Sequence, residues 1–84
     1  MFYVYALHSL KNGDLYIGYS SDLKKRFYEH NNGEVKSTQG YRPWRLIYYE
    51  AYLNQHDATV REKNLKEHRP KEDLKTRIKN SLTI

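Results

Sequence analysis

No cysteine occurs among the 84 residues. Disulfides and thiolate zinc sites are therefore excluded, and a reducing compartment suits the chain. Proline is scarce, with two residues, and glycine occurs four times, so there is no linker, repeat or low-complexity segment. Long apolar runs are missing as well. The longest, Phe2 to Leu7, falls far short of the ~20 residues a membrane helix needs. No basic stretch followed by an apolar one opens the chain, so no signal peptide is expected, and a cytoplasmic protein with no membrane partner is the default. Acidic residues are outnumbered ten to fifteen, leaving a net charge of +5.

What is abundant is tyrosine, with nine residues. That is more aromatic surface than a small core requires. Tyrosines interleaved with Lys and Arg can stack on bases or bond phosphates, so the positive charge points to a polyanion rather than to a merely solvated surface. The length allows one domain, residues 1–84. A chain of this size buries only roughly 60–65% of its unfolded surface, and its margin of stability is thin.

Phe2 to His8 is rich in aromatic and apolar residues and reads as a strand. Asn12-Gly13 is a strong hairpin signal, and Leu15 to Tyr19 returns as a second strand. Ser20 or Ser21 can cap a helix running to about His30, with Leu23, Arg26, Phe27 and His30 along one face. Asn31 to Pro43 is polar and reads as a surface loop, and Trp44 to Tyr52 as a third strand. Asn54 caps a second helix in which Ala58, Glu62 and Leu65 share a stripe. An unpaired carboxylate is costly on such a stripe, so Glu62 should have a partner or a task. Pro70 suits the first turn of a third helix with Leu74, Ile78 and Leu82 inward. The expectation is an α+β fold, a small three-stranded antiparallel sheet flanked by three helices in the order ββαβαα.

Tyr3-Val4-Tyr5, Tyr16-Ile17-Gly18, Arg26, His30 and Glu62 form an ordered set, with eleven positions from Tyr5 to Tyr16 and ten more to Arg26. This set resembles the GIY-YIG endonuclease superfamily, especially its small single-domain members related to the N-terminal nuclease domain of the bacterial excinuclease. The second triplet matches the family outright; the first keeps only its tyrosine. The asparagine that follows the glutamate in the excinuclease relatives is replaced here by Leu74, beside Asp73.

The resemblance implies a metal-dependent endonuclease acting on duplex or branched DNA, in repair or recombination, with a separate targeting protein as a further partner. Tyr5, Tyr16, Arg26 and His30 would be catalytic, and Glu62 the one acidic ligand of Mg²⁺ or Mn²⁺. One carboxylate completed by waters suits such a hard cation. Arg26 can grip a phosphate bidentately and stays charged. A free tyrosine ionises about 3 units above neutrality unless positive charge such as Arg26 and the metal lowers it. His30 could instead take or relay the proton; the expected base is Tyr5 or Tyr16, with His30 assisting. Tyr19, Lys36, Thr38 and Arg42 are the expected phosphate contacts. The alternative is a nucleic-acid-binding module that kept the fold without turnover; a protein-interaction domain is a third reading.

A two-residue Asn-Gly turn would place residue i opposite residue 25 − i. Tyr5 and Tyr16 would then share a face but stand roughly 13 Å apart along the strands. One site cannot easily use both at that distance, so a wider or bulged loop is predicted, bringing the two tyrosines close to opposite.

Overall fold

In the computed structural model, which describes residues 1–83, the run Phe2–Ser9 forms β1 and Leu15–Ser20 forms β2. They pair antiparallel, with Tyr5 opposite Gly18 and Leu7 opposite Tyr16. The loop is wider than the Asn-Gly dipeptide. The Ser9 amide donates to the Asp14 carbonyl at 2.9 Å, and the Gly13 amide to the Ser9 carbonyl at 2.9 Å. Residues 10–13 form the turn, with Gly13 at a φ of 81°. The cause is the Ser9 hydroxyl, which accepts from the amides of Lys11 and Asn12 at 3.1 and 3.2 Å. It also donates to the Tyr41 carbonyl at 2.7 Å. A serine that organises two following amides competes with the tight turn. Tyr5 and Tyr16 become diagonal neighbours on one face, not directly opposite.

β3, Trp44–Tyr52, pairs antiparallel on the other side of β1, giving the strand order β2-β1-β3. A bulge interrupts this pairing: Ala6 faces Tyr48 while Leu7 faces Leu46, leaving Ile47 over. One extra residue reverses which side chains face which side. The bulge therefore brings Leu46 and Trp44 to the same face as Tyr49, Tyr5 and Leu7.

Helices cover both faces. α1, Leu23–Asn31, lies on the front, where Leu23 and Phe27 pack with Tyr5, Leu7, Tyr16, Trp44 and Leu46. Its N-cap is Asp22, whose carboxylate accepts from the Lys25 amide at 3.2 Å, and not Ser20 or Ser21. Ser20 instead accepts from the Asp22 amide at 2.9 Å, which sets the cap one residue later. A single 3₁₀ turn, Gln39–Tyr41, interrupts the following loop.

On the back, α2, Gln55–Leu65, is capped by Asn54 as the sequence suggests. Ala58 and Leu65 enter a core with Val4, Ala6, Leu15 and Ile17. α3, His68–Arg77, begins before Pro70, with Glu67 at the N-cap position making no side-chain capping bond. The helix expected to run on through Leu82 stops at Ile78, and a short α4, Lys79–Leu82, follows. The break keeps the apolar stripe: Leu74 and Ile78 are buried, and Leu82 packs against them. No described helix is long and apolar enough to cross a membrane.

Candidate active site

Tyr5 sits at the centre of the front face and is buried. The hydrogen on Gly18 is what leaves room for its ring, since both point to the same side of the hairpin. Its hydroxyl lies 2.8 Å from His30 Nε2. His30 closes the last turn of α1 and is fully buried, and its Nδ1 lies 2.8 Å from Thr38 Oγ1. Tyr16 meets the same imidazole edge to face, with ring centroids 5.2 Å apart, and leans on Trp44 at 6.1 Å. The chain thus stacks Trp44, Tyr16, His30 and Tyr5 around one point.

Arg26 stands one turn before His30 on α1. Its side chain is 40% exposed and pairs with Glu29 at 3.3 Å. Burial alone would make it easier to deprotonate, but Glu29 and the Tyr5 hydroxyl hold the guanidinium charged. α1 is fixed to the sheet just beyond this pair. The Asn31 amide accepts from the Trp44 backbone N–H at 2.6 Å and donates to the Trp44 carbonyl at 2.9 Å.

Electrostatics separate the roles. Burial pushes the Tyr5 phenol up to about 12, with Tyr16 adding to the rise; Arg26 opposes it, and the Glu62 charge adds to it. Burial, with the charge of Arg26 behind it, lowers His30 to about 4, so its imidazole is neutral near pH 7. Glu62 projects from α2 between the buried Ala58 and Leu65, and pairs with Lys66 at 3.1 Å.

The structure therefore brings Tyr5, Tyr16, Arg26 and His30 together, whereas Glu62 is on α2, which packs on the other face of the sheet. The four expected phosphate contacts divide. Lys36 and Arg42 are exposed. Arg42 lies along Gly33 and donates from Nε to the Gln39 carbonyl at 2.8 Å. Tyr19 is on the wrong side: it pairs with Val4 and packs on the back core, because side chains alternate along β2. Thr38 is fully buried against His30 and cannot meet a phosphate. Its polar neighbours made it read as surface, whereas its hydroxyl completes an interior chain.

A second cluster escaped the sequence reading. Arg61 holds Glu50 through Nε and Nη2, each at 2.9 Å from a carboxylate oxygen, and the hydroxyls of Tyr48 and Tyr52 donate to the same carboxylate. Nothing local announces it, because Glu50 and Arg61 lie on different elements.

A tyrosine-arginine-histidine cluster on a three-stranded sheet, with one glutamate on a helix of the other face, defines a small nuclease-like domain. Residues 1–79 match the family model of the GIY-YIG catalytic domain, and the chain belongs to that family. It is 38% identical to a UPF0213 protein of Pediococcus pentosaceus over 84 residues, covering 99% of this chain and 87% of the relative. A UPF0213 protein of Clostridium perfringens is 42% identical over 67 residues, covering 79% and 71%. The solution NMR structure of a UPF0213 protein from Bacillus halodurans superposes with a TM-score of 0.58 at 31% identity, covering 99% of this chain and 94% of that one.

Proposed function

We propose that this domain is an endonuclease that hydrolyses DNA phosphodiester bonds with the aid of a divalent metal ion. The observation that carries the proposal is the cluster around His30: the Tyr5 hydroxyl lies 2.8 Å from its Nε2, the Tyr16 ring meets it at 5.2 Å, and Arg26 stands one turn before it on α1. Arg26 is charged and partly exposed, so it grips the phosphate and offsets charge that builds on its oxygens. Glu62 is the ligand for Mg²⁺ or Mn²⁺. A single carboxylate completed by waters fits a hard octahedral cation. When bound, such an ion supplies Lewis-acid stabilisation of the phosphoryl and leaving oxygens.

The two tyrosines are not equivalent as bases. Ionising Tyr5 at neutral pH costs about 7 kcal/mol with a pKa near 12, and its hydroxyl is engaged with His30. Tyr16 is half-buried, and its hydroxyl has no protein partner among the described residues. Tyr16 is therefore the base that takes the proton of the attacking water, and Tyr5 supports Arg26. Duplex or branched DNA in repair or recombination is the substrate setting, with Lys36 and Arg42 on the exposed loop as phosphate contacts. A targeting protein would supply site choice.

One observation favours a binding module without turnover: the Glu62 carboxylate is already paired with Lys66 at 3.1 Å, and that ammonium competes with a metal ion for it. The two readings separate in a plasmid-nicking assay with Mg²⁺ or Mn²⁺. Cleavage by the wild-type domain, with losses of roughly 10²-fold or more in Glu62→Gln, Arg26→Ala and Tyr16→Phe, supports the enzyme. Salt-sensitive DNA binding without nicking by any protein supports the module instead.

A further inference from the structure

His30 is buried with both ring nitrogens occupied, by Tyr5 Oη on one side and Thr38 Oγ1 on the other, each at 2.8 Å. The Thr38 hydroxyl also donates to the Val35 carbonyl at 3.3 Å. That is the longest link, since the same carbonyl takes the amides of Thr38 and Gln39 at 3.1 and 3.0 Å.

The hydrogens follow by elimination. A carbonyl only accepts, so the single Thr38 proton goes to Val35, and Thr38 Oγ1 must accept from His30 Nδ1–H. A neutral imidazole carries one N–H, so Nε2 is the acceptor and the Tyr5 hydroxyl donates to it. The oxygen of Tyr5 is left as an acceptor, which suits the Arg26 charge felt at this phenol.

We infer that Thr38 is a positioning residue that, through His30, fixes the direction of the Tyr5 hydroxyl and leaves its oxygen as an acceptor for the site. The chain runs one way, Tyr5 to His30 to Thr38 to Val35. Thr38 is pinned at its own backbone too, where its carbonyl accepts from Trp44 Nε1 at 2.9 Å and from the Tyr41 amide at 3.1 Å. Removing its hydroxyl frees Nδ1 and lets the imidazole proton move to Nε2. Tyr5 then accepts from His30, and its own proton turns away from the imidazole, so the acceptor it offered to the site is lost.

The proton arrangement stands on the hydrogen-bond geometry and on an imidazole that burial keeps neutral; its consequence for cleavage rests on the nuclease reading above. The experiment is long-range ¹H–¹⁵N NMR of His30 in metal-free protein at pH 7, for wild type, Thr38→Val and Thr38→Ser. Wild type and Thr38→Ser should carry the His30 proton on Nδ1, whereas Thr38→Val should carry it on Nε2. In the nicking assay Thr38→Val should be slower by roughly tenfold or more and Thr38→Ser close to wild type. A wild-type imidazole protonated on Nε2 overturns the inference. So does a Thr38→Val variant that keeps Nδ1–H. Should Thr38→Val fail to fold, the wild-type and Thr38→Ser spectra still decide it. Expected spectra with no nicking by any protein leave the inference standing and refute the nuclease reading.

Discussion

A Cβ atom at Gly18 would lie 2.4 Å from both Cζ and Oη of Tyr5, well inside contact distance. Tyr5 is buried and bonded to His30, so its ring cannot swing aside without breaking that bond. Gly18→Ala should therefore destabilise the fold by roughly 1–3 kcal/mol, as overpacking does. Urea denaturation measures the loss, and the same substitution made in a Tyr5→Ala background should cost less. An unchanged midpoint in Gly18→Ala would show that the ring has room to spare.

His30 makes stability depend on pH. Its folded pKa, about 4, lies below the unfolded value of 6.5, so the unfolded chain binds its proton first as pH falls. The contribution is complete above about pH 6.5 and is lost progressively toward pH 4, to a limit of roughly 3 kcal/mol. Urea midpoints taken across this range should fall for the wild type and flatten for His30→Gln.

Glu50 acts in a lower window. Burial alone would raise its pKa, but the hydrogen bonds from Arg61, Tyr48 and Tyr52 together hold it at about 2. The folded value is depressed, so its stabilisation is present above the ordinary value of 4.5 and disappears as pH drops from there toward 2. Glu50→Gln should cost roughly 1–3 kcal/mol at pH 7, because Arg61 keeps its charge and loses its anion. Thermal melts at pH 7 and pH 3 should differ less for this variant than for the wild type.

Asn31 ties α1 to β3 with both ends of one amide. Asn31→Leu leaves the Trp44 backbone groups unpaired and should cost roughly 1–3 kcal/mol. It should also slow nicking at temperatures where the variant is still folded, since α1 carries both Arg26 and His30. Retention of full activity in the folded variant would show that the helix is held by packing alone.

The strand boundaries, both helix stripes and the shared face of Tyr5 and Tyr16 were legible because period-two and i, i+4 patterns are local. The roles expected of Arg26, His30 and Glu62 came only with the family resemblance, although the apolar stripe around Glu62 had already marked that carboxylate as one needing a partner. What stayed hidden depends on contacts distant in sequence. The Ser9 hydroxyl widens the hairpin partly by reaching Tyr41, and the bulge at Ile47 reverses the parity of β3. Thr38 sits in a polar stretch, and its burial follows from its meeting His30 across a turn.

A hairpin tip is ordinarily where a chain accepts an insertion or a tag. Here Ser9, Leu10 and Lys11 each bond the segment that carries Thr38 onward to β3, at Tyr41, Pro43 and Gly40. The tip is a strut beneath the face that carries Tyr5. An epitope inserted at Asn12-Gly13 would push on the loop that steadies His30, so a silent label belongs elsewhere on the surface.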